Sequence, residues 1–162
     1  MKNRAKQAEA DTIKAGLFEM GLEDSRYDAL YHRVASAFGL TTCQMWIFYY
    51  LTAVADGLTQ REIARRMAFP KQTVNSAVAK LESSGLVTLA AVEGSRKEKV
   101  ITLTATGRKL AKGSSARLLA AEIRATAKLG IAKMNDYNRL RAEYLRLLQA
   151  EFEADFLGEA DG

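Results

Sequence analysis

Apolar and polar positions follow a helical period along most of the chain and a strand period over one central stretch. Residues 8–20 carry Ile13, Leu17 and Met20 at helical spacing, a weak stripe that fits either a helix or a frayed arm. From Asp24 to Phe38 the stripe strengthens, with Tyr27, Leu30, Tyr31, Val34 and Phe38 on one face and Gly39 as C-cap. Thr41 and Gln44 form a capping box that opens a helix carrying Met45, Trp46, Phe48, Tyr49 and Leu51, ended by Asp56-Gly57. Thr59 and Glu62 repeat the box, so a short helix is predicted from Gln60 to Met67. Ala68-Phe69 makes a turn, and Pro70 fits the first position of the next helix, where its missing N–H is harmless. That helix places Val74, Val78 and Leu81 inward and stops at Gly85.

The period then changes. Leu86–Val92 and Lys99–Leu103 are predicted as antiparallel strands around Glu93-Gly94-Ser95-Arg96. Thr104 is predicted to cap a long helix running to about Leu129. Asn135 or Asp136 opens the last helix, with Leu140, Tyr144, Leu147, Leu148 and Phe152 on one stripe. The predicted fold class is mainly α, an α+β winged helix. Residues 40–104 form a winged helix-turn-helix lobe, flanked by dimerisation helices in 1–39 and 105–162. The flanking helices carry more apolar stripe than a chain of 162 residues easily covers alone, so a homodimer is expected.

Charge sharpens the picture. The net charge is +5, yet Leu40–Lys112 alone holds eleven Lys/Arg against five Asp/Glu, a net of +6, leaving −1 for the rest. The excess sits where a polyanion would be met, as expected for a double-stranded DNA partner. With Val74, Val78 and Leu81 inward, Lys71, Gln72, Thr73, Asn75 and Ser76 face outward on a helix suited to the major groove. The amides of Gln72 and Asn75 match adenine N6/N7, Lys71 can reach guanine O6/N7 or a phosphate, and Thr73 is expected on the backbone. Arg61, Arg65, Arg66 and Lys80 are candidate phosphate ligands. In the wing, Arg96 is the candidate for minor-groove insertion, with Lys97 and Lys99 beside it on alternating faces.

The strings carrying these features resemble the multiple-antibiotic-resistance-regulator (MarR) family of bacterial winged-helix transcription factors. Thr41-Thr42-Cys43-Gln44-Met45-Trp46 resembles its "LTxxQW" opening, and Thr59-Gln60-Arg61-Glu62-Ile63-Ala64 its "LTQxELA" helix. Lys71 to Val87 resembles "sxxTVxxxVxxLExxGLV", and Leu103-Thr104-Ala105-Thr106-Gly107 the "LTxxG" that closes the wing. The resemblance covers about residues 24–157. It implies a dimer with two winged lobes on a pseudo-palindromic operator, usually a repressor, released in many members by a small aromatic or phenolic ligand. Two positions depart from the pattern: Ser95 stands where an Asp is common, and Ser76 where an Arg is common in the recognition helix.

Tyr27, Tyr31, His32, Trp46, Tyr49 and Tyr50 lie on the two helices that, by the resemblance, border the effector pocket. Aromatic walls with polar tips suit a planar organic acid or phenol; the same residues also suit a core or a dimer interface. One cysteine, Cys43, excludes an intramolecular disulfide and fits a reducing cytoplasm. No metal set, cofactor or catalytic constellation is expected from one His, one Cys and scattered carboxylates. No apolar run suggests a signal peptide or a membrane span, so a cytoplasmic, non-enzymatic protein is expected. A winged-helix module that docks a protein, and a non-specific nucleic-acid binder, are the competing expectations.

Overall fold

The computed structural model describes residues 2–53, 57–92, 94 and 98–157, which fall into two compact units, Met1–Leu118 and Leu119–Gly162. The first opens with α1, Lys2–Ala37, followed by α2, Thr42–Ala53. The two stripes predicted before Gly39 are therefore one 36-residue helix. Gly16 and Gly21 lower its propensity by up to about 1 kcal/mol each but do not break it, and no proline intervenes. A Schellman turn ends α1, with Leu40 N–H donating to the Ala35 carbonyl and Gly39 at φ 67°. The Thr41/Gln44 box opens α2 as predicted: Gln44 N–H donates to Thr41 Oγ1, and Thr41 N–H to Gln44 Oε1.

A two-residue strand, β1 (Leu58–Thr59), precedes α3 (Gln60–Met67) and α4 (Lys71–Ser83). The wing follows as β2, Val87–Ala91, and β3, Lys99–Leu103. All three strands are antiparallel in the order β1-β3-β2, with Leu58 opposite Ile101 and Leu89 opposite Ile101 on the other side. The sequence pattern missed β1 because two residues are too few for a period to show. Pro70 also sits one position earlier than predicted. Its ψ of 136° is extended, so it is the N-cap of α4, and its carbonyl accepts from Thr73 and Val74.

The helix predicted from Thr104 to Leu129 is two helices: α5, Ala105–Gly113, and α6, Ser115–Leu129. Ser114 leaves helical geometry at φ −116°, ψ −88°. There the buried hydroxyls of Ser114 and Ser115 donate back to the carbonyls of Leu110 and Ala111, a contact that bends helices. The last helix, α7, spans Ile131–Phe152, so it starts at Gly130 (φ 98°) and not at Asn135 or Asp136. A π-helical turn, Glu153–Leu157, continues it.

The core lies in the first unit. Met45, Ile47 and Phe48 of α2 meet Ile63 of α3, Val74, Val78 and Leu81 of α4, and Val87 and Ile101 of the sheet, all essentially inaccessible. One close approach locks the wing to α5. Thr104 Oγ1 accepts from Gly107 N–H and lies 2.7 Å from the Gly85 carbonyl, while Thr104 N–H donates to the Leu86 carbonyl. A Cβ on Gly107 would lie 1.9 Å from that Leu86 oxygen, so the position admits no side chain as the backbone stands.

Candidate nucleic-acid interface

The geometry of α3 and α4 begins with their ends. Thr59 caps α3 by accepting from Glu62 N–H, and the Glu62 carboxylate accepts in return from Thr59 N–H at 2.8 Å and from its hydroxyl at 2.9 Å. The backbone N–H of Thr59, then its hydroxyl, hold the Glu62 carboxyl below its ordinary pKa; Arg66 and Arg65 add to this. Thr59 is also a strand residue, opposite Val100 of β3. The start of the first helix is thus fastened to the wing. At its other end Ala68 takes the left-handed conformation, φ 51°, ψ 30°, which turns the chain toward α4.

The turn sets α4 with one face in the core and the other in solvent. Val74, Val78 and Leu81 are buried, while Lys71, Gln72, Thr73, Asn75 and Ser76 are all exposed, as is Lys80 near the C-terminal end. The outward row holds two carboxamides, two hydroxyls and a cation, and no carboxylate until Glu82. Arg61, Arg65 and Arg66 are exposed on α3. Arg61 differs from the other two, because its Nη1 lies 3.5 Å from Glu98 Oε1 at the foot of the wing. Glu98 was missed by the sequence reading. An acidic residue inside the basic run Arg96-Lys97-Glu98-Lys99 was the available signal. With the arginine side chain 80% exposed, the pair contributes at most about 1 kcal/mol, but it orients Arg61 toward the wing.

In the wing, Val92 N–H donates to the Glu98 carbonyl beyond the last ladder pair, and the hydroxyls of Thr88 and Thr102 meet across the strands at 2.8 Å. Lys99 is exposed at the start of β3. Arg96 and Lys97, with Ser95, lie outside the described residues.

The aromatic residues expected around an effector pocket come together as a stack between α1 and α2. Tyr27 and Tyr31 lie 4.7 Å apart between ring centroids and share a hydroxyl–hydroxyl bond of 2.9 Å. Tyr31 stacks on Trp46 at 5.0 Å, and Trp46 meets Tyr49 and Tyr50 at 5.2 and 6.4 Å. The Tyr50 hydroxyl donates to the Arg66 carbonyl in the last turn of α3. The rings thus run unbroken from α1 to the helix-turn-helix. His32 is exposed on α1 and, among the described residues, joins no ring pair. Cys43 is buried at the start of α2, and burial pushes its thiol pKa up, opposite to the shift a reactive thiolate needs.

Comparison with known proteins gives the same architecture. The model of the MarR family matches residues 38–98. The chain is 32% identical over 105 residues to the HTH-type transcriptional repressor Rv2887 of Mycobacterium tuberculosis, covering 65% of this chain and 75% of that protein. The S. aureus MepR–DNA complex aligns with a TM-score of 0.59 at 24% identity, covering 83% of this chain and 94% of that one. CouR from Rhodococcus jostii RHA1 bound to p-coumaroyl-CoA aligns at 0.61 and 24%, covering 75% and 87%. At these identities the two structures speak for the fold, whereas the repressor relative speaks for kinship across most of its length. With the capping boxes, the exposed row on α4 and the Thr104–Gly107 lock in place, the chain belongs to the MarR family of transcriptional regulators.

Proposed function

We propose that the protein is a homodimeric repressor that reads a pseudo-palindromic operator, with α4 in the major groove and the wing over the adjacent minor groove. The observation that carries this is the two-faced α4: a buried Val74-Val78-Leu81 edge behind an exposed row of Lys71, Gln72, Thr73, Asn75 and Ser76. Gln72 and Asn75 would read base edges, and Arg65, Arg66 and Lys80 would hold phosphates, with Arg96, Lys97 and Lys99 serving the wing. Apolar side chains left exposed on α1 (Ile13, Leu17, Phe18) and on α7 (Leu140, Tyr144, Leu147) are the surfaces for the second copy. The DNA complex of MepR and the repressor relative support the assignment.

A small aromatic effector would act through the stack of Tyr27, Tyr31, Trp46, Tyr49 and Tyr50, with His32 at its edge. A ring inserted there would move the Tyr50 contact on Arg66 and shift the population of lobe positions. Fluorescence anisotropy of the protein on its own upstream DNA and on a scrambled duplex, at several salt concentrations, tests the reading. A preference of about 10³ or more for the upstream DNA is expected. Equal binding to both would overturn operator specificity, and no binding at low salt would overturn the DNA role.

A further inference from the structure

Arg61 and Glu98 meet because of the register of the sheet. Thr59 pairs with Val100 across β1 and β3. Arg61 lies two residues past Thr59 and Glu98 two before Val100, where the same ladder would continue. The chain has turned into α3 by then, yet Arg61 Nη1 still lies 3.5 Å from Glu98 Oε1. Both backbones are held: Arg61 sits inside the Thr59–Glu62 cap, and the Glu98 carbonyl accepts from Val92 N–H. With Thr59, Glu62 and Arg65 the pair lines one crevice between α3 and the foot of the wing. Arg65 and Arg66, farther along α3, make no ion pair within 4.0 Å among the described residues. The three exposed arginines of this short helix are thus not equivalent.

We propose that Glu98 is a positioning residue that keeps Arg61 on the wing and off the DNA backbone. Resting on the DNA-binding assignment, this divides the cations of α3: Arg65 and Arg66 take phosphates, and Arg61 does not. An exposed pair is weak in isolation, but here two anions compete for one guanidinium. The carboxylate is already in place, whereas a phosphate contact requires the side chain to be released first. A duplex lying over the crevice would also exclude water and strengthen the pair. The pair is neutral, so it adds nothing to the counterion release on which sequence-independent affinity depends. Glu98 therefore lowers binding to random duplex without altering what Gln72 and Asn75 present to base edges on α4.

The arginine Nε–Hε signals of the ¹⁵N-labelled full chain, assigned with single Arg→Gln variants and titrated with a scrambled duplex, test this. In the natural sequence Arg65 and Arg66 are expected to shift and Arg61 to stay. In Glu98→Gln, Arg61 is expected to shift with them, and the slope of log affinity against log salt to steepen by about 0.9 per lobe. For two lobes that adds about tenfold to the affinity lost between 50 and 200 mM salt. Adding Arg61→Gln to Glu98→Gln should abolish the steepening, which separates Arg61 from Arg96 and Lys97 nearby in the chain. Arg61 is exposed and Glu98 half-exposed, so these variants should keep the fold. In a bound complex, an Arg61 signal that moves in the natural sequence, or one that stays still in Glu98→Gln, would overturn the proposal and leave the DNA role intact. So would Arg65 and Arg66 signals that stay still, or a steepening that survives Arg61→Gln. No binding of any duplex by the natural sequence would overturn the DNA role and the proposal together.

Discussion

At Gly107 the limiting quantity is distance. The Leu86 carbonyl approaches so closely that a methyl group has no room, whatever the torsion angles. Gly107→Ala is therefore expected to lower stability by about 1–3 kcal/mol, the usual range for overpacking, seen as an earlier midpoint in urea unfolding. An unchanged midpoint would mean that α5 and the wing can slide apart freely. Asn75 carries a different expectation, because it stands on the exposed row of α4, outside the buried Val74-Val78-Leu81 edge. Asn75→Ala should weaken binding to a specific operator by about 1–3 kcal/mol and leave binding to random duplex nearly unchanged. Equal losses on both DNAs would make it a backbone contact.

At the scale of elements, caps and stripes were legible in the sequence and breaks were not. The pairs Thr41/Gln44 and Thr59/Glu62 announced two helix starts because a capping box is local chemistry, satisfied by residues three apart. The inward edge of α4 was legible for the same reason: Val74, Val78 and Leu81 repeat at helical spacing. The break at Ser114 involves two hydroxyls that return to carbonyls four residues back, with Ser115 Oγ also 3.5 Å from Thr52 Oγ1 of the distant α2, and β1 exists only because β3 lies beside it. The Glu62 cap has a consequence in pH. Its folded-state pKa is lowered, so its contribution is present above the unfolded value of about 4.3 and is lost as pH falls through the folded value. Stability measured from pH 7 down to about 3 should fall less steeply in Glu62→Gln than in the natural sequence; identical slopes would show that the carboxylate does not act as a cap in solution.

For the whole molecule the decisive quantity is the apolar surface left outside each unit. Ile131, Leu140, Leu145 and Leu147 are exposed on α7, and Ile13, Leu17, Phe18 and Leu22 on α1. Scattered apolar residues are ordinary on a surface, but rows of them on long helices mark association. Light scattering behind size exclusion should give twice the mass of one chain, and Leu140→Glu with Leu147→Glu should return it to the monomer and weaken operator binding. A stable monomer in the natural sequence would remove the two-lobed reading of the operator. If two lobes each place about 3–5 contacts on phosphates, affinity should drop by about 10³–10⁵ between 50 and 200 mM salt, and a shallow slope would point to a protein partner.

Thr59 belongs to a strand and to a helix cap at once, opposite Val100 and bonded to Glu62. Peeling β1 from β3 and fraying the first turn of α3 are then a single opening event. In hydrogen exchange, the amides of Thr59, Glu62 and the β3 residues paired with β1 should share one protection factor, as members of one cooperative unit. A force or a bound molecule acting on the wing would reach the helix-turn-helix through that residue, with no rearrangement of the core between them.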